Sequence, residues 1–166
     1  MTTPLFSPGA EKARRRVLNP LLFKVFLWAR LPLAACAGLR LLRLDERECV
    51  VRLPGGWRTQ NPFRSTYFAA QAMAAEMSTG APAAVLVEGA GASLAMLVRE
   101  VHAVYTKKAV GPTFFTFADV AGLAAVIARA AQTPEGQDFV ATSTGRTADG
   151  TVVAEFRLHW SFKRRG

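Results

Sequence analysis

The sequence predicts an α+β domain in which a curved antiparallel sheet wraps one central helix. Three observations lead there. Asp149–Gly150 separates two long alternating segments, a strong hairpin signal. In the second segment Val152, Ala154, Phe156, Leu158, Trp160 and Phe162 alternate with Val153, Glu155, Arg157, His159, Ser161 and Lys163, giving one apolar face. Residues 61–80, NPFRSTYFAAQAMAAEMSTG, hold an Ala-rich helix whose small side chains suit close approach to a curved sheet.

The elements follow in chain order. An amphipathic helix is expected over about 9–30, with Leu18, Leu21, Val25 and Trp28 as its buried stripe. The chain then changes to a period of two. GLRLLRL (38–44) and ECVVRLP (48–54) read as strands joined at Asp45–Arg47, and Gly55–Gly56 turns the chain. Ser65 or Thr66 can cap the central helix and Gly80, followed by Pro82, can end it, which bounds it at about 66–79. Residues 83–93 fit an extra helical turn or a short strand. Strands are expected at 94–107 and 113–117. Asp119 caps a second helix over about 119–132, buried through Val120, Leu123, Ile127 and Ala131. Strands at 137–147 and 151–163 close the sheet. The whole, 1–166, is expected to be a single domain, with a helical extension over 1–34 and a core over 35–163.

Composition narrows the function classes. A 51% hydrophobic content excludes a disordered chain. Part of the net charge of +9 comes from two terminal clusters, Lys12/Arg14/Arg15/Arg16 and Lys163/Arg164/Arg165. No helix-turn-helix, zinc-finger or RNP-type motif accompanies it, so nucleic acid is not the expected partner. Cys36 and Cys49 lack metal-ligand spacing and suit small core positions in a reducing compartment. No metal site is expected from two separated histidines. His102 and His159 have no adjacent nucleophile or acid with which to form a triad. GAGAS (89–93) lacks the lysine of a phosphate loop. The apolar run at 17–42 is broken by Lys24, Arg30, Pro32, Gly38 and Arg40, too often for a spanning helix. No secretory signal is visible, so a cytoplasmic location is expected, with residues 9–30 able to lie on a membrane surface.

One residue in the central helix stands out. Glu76 is the single carboxylate in an otherwise apolar stretch, and burying a carboxylate is costly unless it is paired or performs chemistry.

The element order, with the motif at 61–80, resembles the hotdog fold of the acyl-CoA thioesterase superfamily, over roughly residues 35–163. Many members carry Asn, a short turn, His-Gly-Gly and a helix bearing Asp or Glu. Here Asn61 matches the Asn, Tyr67-Phe68-Ala69 stands where His-Gly-Gly usually does, and Glu76 occupies the acidic position. The detailed string is similar to a bacterial branch that lacks His-Gly-Gly and also carries an N-terminal helix of the LLFKVFLWARLP kind. The resemblance implies hydrolysis of an acyl thioester, with coenzyme A or an acyl carrier as the thiol and no other cofactor. It implies roles for Glu76 as general base or nucleophile, Asn61 as an orienting group and Tyr67 as an extra donor. The N–H groups around Tyr67, Phe68 and Ala69 would polarise the carbonyl. Lys107 and Lys108, with Arg99 and Arg146, would meet the phosphates of coenzyme A. It also implies a homodimer or dimer of dimers, with ligand between subunits. Nine residues separate Tyr67 from Glu76, about 13–14 Å along a helix, so one carbonyl cannot meet both from the same chain. The competing expectation is a non-catalytic acyl-binding or structural hotdog protein in which Glu76, Asn61 and Tyr67 serve the fold.

Overall fold

The computed structural model of the chain describes residues 4–166, so the first three residues of the expected 1–34 extension lie outside the described residues. Its elements run α1 (Pro8–Leu18), α2 (Pro20–Arg30), α3 (Pro32–Ala37), β1 (Arg40–Leu44), β2 (Cys49–Leu53), α4 (Phe68–Glu88), β3 (Leu94–Tyr105), β4 (Thr113–Phe117), α5 (Val120–Gln132), β5 (Gln137–Thr147) and β6 (Val152–Arg164). The six strands form one sheet in the order β1-β2-β4-β5-β6-β3, antiparallel at every pairing. This is the expected fold class.

Burial follows the alternation. Leu53, Phe115, Phe117, Phe156, Leu158 and Phe162 point from the sheet into the core. Helix α4 lies over β2, β4 and β5 and reaches β6, while α5 covers β5 and β6 beside it. Asp119 caps α5 by accepting from the Gly122 N–H at 2.9 Å. One sheet position is kept small by a ring on the neighbouring strand. Phe115 faces Gly145 across the β4–β5 pair, and a Cβ on Gly145 would stand 2.6 Å from the Phe115 ring. The glycine gives that ring its place.

The helical regions depart from expectation in two respects. The single helix expected over 9–30 is two helices, and a third follows. Each of the three opens on a proline, where a missing N–H costs nothing. Asn19 makes the first joint: it ends α1 and caps α2, its Oδ1 accepting from the N–H groups of Leu21 and Leu22. The buried side of α2 is also different. Phe23 and Leu27 face inward, whereas Leu21, Val25 and Trp28 of the expected stripe face solvent.

The second departure concerns α4, expected over 66–79. It starts at Phe68 and continues to Glu88, through Gly80 and Pro82. Neither residue acts as a stop, because both are buried against the domain and packing outweighs local preference. Residues 83–88, ambiguous in the sequence, are therefore helix. The expected Ser65 or Thr66 cap is absent too. The N-cap is Tyr67, without a side-chain capping bond. Ser65 Oγ donates to Asn61 Oδ1, and the Thr66 N–H donates to the Ala109 carbonyl.

Candidate active site at the start of the central helix

The uncapped end of α4 is the chemically open point of the molecule. The Tyr67 N–H donates to the Thr59 carbonyl at 2.7 Å, so it is not available to a ligand. The N–H groups of Ala70 and Gln71 turn back to the Tyr67 carbonyl. Those of Phe68 and Ala69 have no acceptor among the described residues. Two unpartnered donors at a helix N-terminus favour a partial negative charge, such as the oxygen of a polarised carbonyl.

A cleft of about 550 Å³ opens there. Asn61, Tyr67, Phe68, Lys107 and Lys108 all line it, so five of the nine expected site residues come together. A second, more apolar cavity of about 600 Å³ lies on the other side of the helix start, between α4 and the Trp28–Ala37 segment, and Ala69 lines this one. Tyr67 lines both and stands between them. Its ring packs edge-on against Phe68 at 4.8 Å.

Asn61 performs turn duty. Its Oδ1 accepts from the Phe63 N–H (2.9 Å), the Ser65 N–H (3.2 Å) and Ser65 Oγ (3.2 Å). These bonds hold a tight loop in which Arg64 adopts a left-handed backbone, φ 58°. The Asn61 amide nitrogen retains donor capacity toward the cleft. Arg99 is paired with Asp138 at 3.0 Å, and Arg146 donates to the Gly150 carbonyl; neither lines the cleft.

Gln71 escaped the sequence reading. It is buried one turn into α4 and lines the same cleft. Its Nε2 donates to the Thr66 carbonyl at 3.2 Å, which leaves Oε1 buried without a donor among the described residues. Such an acceptor is expensive to leave unsatisfied. In the sequence Gln71 is one more polar residue in an apolar helix, and only the fold shows where it points.

Glu76 lines neither cavity. It stands in the middle of the outward side of α4, among Ala69, Ala72, Met73 and Ala84. Its carboxyl folds back over Gly80: a Cβ there would lie 2.8 Å from Glu76 Oε1 and 3.3 Å from the Trp160 ring. Although the residue as a whole presents surface to solvent, this notch holds the carboxyl against apolar atoms. Burial pushes its pKa up, with no neighbouring charge or hydrogen bond opposing the rise. The notch itself is braced, since Trp160 Nε1 donates to Thr79 Oγ1 (3.0 Å), which donates to the Glu76 carbonyl (3.0 Å). Glu76 is eight residues from Phe68, about 12 Å along the helix. Within one chain it is therefore separate from the open N–H groups.

His102 and His159 sit on strands β3 and β6 and line neither cavity. Among the described residues no three His, Cys, Asp or Glu side chains are grouped to hold a metal ion. Cys36 is exposed and Cys49 buried, the latter with its thiol pKa pushed up by burial.

The antiparallel sheet and the long helix laid across it define a hotdog fold. Solved structures agree on the fold. A Pseudomonas aeruginosa protein, PA5026, described as a probable thioesterase, superposes with a TM-score of 0.70 at 18% identity, covering 96% of this chain and 99% of that one. Thioesterase HI1161 of Haemophilus influenzae gives 0.63 at 15% identity, covering 84% and 88%. The PaaI protein of E. coli, from the phenylacetic acid degradation operon, gives 0.61 at 13%, covering 95% and 96%. No curated protein matches by sequence. The chain belongs to the family described as a domain of unknown function, DUF4442, whose model matches residues 20–162. That match begins at the first residue of α2, so it takes in two of the helices preceding the sheet.

Proposed function

We propose that this protein hydrolyses an acyl thioester in the cytoplasm, with coenzyme A or an acyl carrier as the leaving thiol. The observation that carries the reading is the uncapped α4 start. Its Phe68 and Ala69 N–H groups have no acceptor among the described residues; Phe68 lines the 550 Å³ cleft with Gln71, whose buried Oε1 lacks a donor there, and Ala69 lines the cavity on the other side of the helix start. The thioester oxygen accepts from the two N–H groups, which makes the carbonyl carbon electrophilic. Gln71 Oε1 takes an N–H or O–H of the ligand. Lys107 and Lys108, on the exposed rim, attract an anionic carrier.

Glu76 supplies the base. Water attacks the carbonyl carbon and gives its proton to the carboxylate. The tetrahedral intermediate then expels the thiolate, which takes that proton back, leaving acid and thiol. A raised pKa suits this exchange. The roughly 12 Å offset within one chain fits a base supplied by a second copy of the chain. Two features support a homodimer. Strand β3 is an outer strand of twelve residues with an unpaired edge. The outward side of α4 is small and apolar around Glu76.

A non-catalytic acyl-binding role is the second reading, favoured by the occupation of Asn61 Oδ1 in turn bonds and by the aromatic Tyr67 in place of an imidazole. Thiol release over a panel of acyl-CoA esters separates the two. Under the hydrolytic reading Glu76→Gln lowers kcat by roughly 10²-fold or more and leaves ligand affinity little changed. Lys107→Glu with Lys108→Glu raises KM and lowers the salt dependence. Saturable ligand binding with no thiol released by the native chain selects the acyl-binding role.

A further inference from the structure

We propose that the outer face formed by α2, the start of α3 and Trp57 docks on an anionic lipid bilayer. This goes beyond the reaction proposed above and does not depend on it.

The face is apolar where a folded domain is ordinarily polar. Leu21 is 70% exposed, Val25 60%, Trp28 54%, Leu33 70% and Trp57 80%. Leu21, Val25 and Trp28 follow one another at helical spacing along the outside of α2, and Phe23 and Leu27 anchor its inner side. Trp28, Leu33 and Trp57 meet at the rim of the 600 Å³ cavity, so helix and loop contribute to one continuous surface. Two tryptophans on such a surface suit a lipid headgroup boundary.

Charge selects the occupant. Between Glu11 and Asp45 the chain carries eight Lys and Arg and no carboxylate. Several of the helix 1 cations are paired: Arg14 and Arg15 with Glu11, and Arg16 with Glu88. Lys24, Arg30 and Arg58, which flank the exposed aromatic residues, are in no salt bridge among the described residues. A basic, apolar, carboxylate-free surface complements phosphate headgroups above acyl chains. A second copy fits it poorly. A two-fold contact sets each patch against itself and would bring these cations together with no acid to pair them. The face is also remote from the β3 edge, since α2 packs beside β1, at the other end of the sheet. At eleven residues, α2 is too short to span a bilayer and lies in its surface.

The test is co-sedimentation of the full chain with vesicles of phosphatidylcholine alone and of phosphatidylglycerol mixed with phosphatidylcholine. The native chain is expected to pellet with the mixed vesicles and to be released by salt. Trp28→Glu with Leu33→Glu, and separately Lys24→Glu with Arg30→Glu, should each weaken that binding by roughly tenfold or more. All four side chains are exposed, and an unchanged melting temperature verifies that the variants fold. Cys36, on the wall of the adjoining cavity, provides a reading on the native chain: mixed vesicles should slow its reaction with a thiol reagent. Native protein left in the supernatant, equal binding to both vesicle types, or full binding by the acidic variants overturns the proposal. So does a fall in mass by light scattering in Trp28→Glu, which assigns the face to a second copy.

Discussion

Replacing Ser78 and Ser143 by alanine, singly and together, tests how the candidate active-site helix is held on the sheet. The two hydroxyls are fully buried, 2.7 Å apart, and link α4 to β5. Proton counting fixes the direction of their bond. Ser78 Oγ donates its one proton to the Ala75 carbonyl at 2.8 Å, so Ser143 must be the donor to Ser78. The two single changes are therefore unequal. Ser143→Ala removes a donor and leaves Ser78 bonded to Ala75, at a cost of about 1 kcal/mol. Ser78→Ala strands the Ser143 hydroxyl in the core, at about 1–3 kcal/mol. The double variant removes both polar groups and should be more stable than Ser78→Ala alone, because no buried hydroxyl is left unpaired. For a chain of this length the Ser78→Ala loss corresponds to a fall in melting temperature of roughly 3–9 °C. Urea unfolding followed by tryptophan fluorescence measures all four proteins. Strictly additive losses, or a Ser143→Ala loss as large as that of Ser78→Ala, would show the assigned bond direction to be wrong.

Three further outcomes follow from the same geometry. Glu76 binds its proton more tightly folded than unfolded, so it lowers stability as pH rises from its ordinary value of 4.5 through the raised folded value. Glu76→Gln should therefore melt higher than the native chain near neutral pH, with the difference closing toward pH 4.5. A constant difference across that range would contradict the desolvated carboxyl. Glu11 behaves oppositely. Hydrogen bonds from Arg14 and Arg15 hold its pKa down to about 2, so its contribution is present above 4.5 and disappears as pH falls toward 2. Arg14→Ala should flatten that part of the acid titration followed by circular dichroism. Thiol labelling of the native protein should modify Cys36 alone, with Cys49 reacting only after unfolding. Rapid labelling of both would mean that the β2 side of the core opens readily.

The legible parts of this fold were those whose signals are local. Asp149–Gly150 and the alternation after it determine a hairpin without reference to the rest of the chain. The Asp119 cap does the same for α5. The limits of α4 differ from those its local sequence predicts because they are set by tertiary packing. Gly80 resembles a stop, yet it makes room for the Glu76 carboxyl and the Trp160 indole, two groups that only the fold brings together. Ser65 and Thr66 look like caps, yet the Asn61 turn and the Ala109 carbonyl engage them first. Periodicity found a real stripe on α2, but periodicity does not say which stripe faces inward. The motif at 61–80 did lead to the cleft at the helix start, because turn, helix start and strand end are assembled from neighbouring chain. The unsatisfied oxygen of Gln71 could not be read in advance, since it depends on what the surrounding backbone leaves unpaired.

Tyr67 stands between two hollows that flank the beginning of α4. The separation there is a single aromatic side chain, itself half exposed and without a hydrogen bond from its hydroxyl among the described residues. Such a ring acts as a ruler. While it stays in place, an occupant of one hollow must end where the ring begins. If it swings aside, or is cut back to alanine, the two hollows would gain the space it occupies. Under the acyl-thioester reading proposed above, one torsion angle would then set the longest acyl chain accommodated, and length preference could change without any alteration to the groups proposed to perform the chemistry.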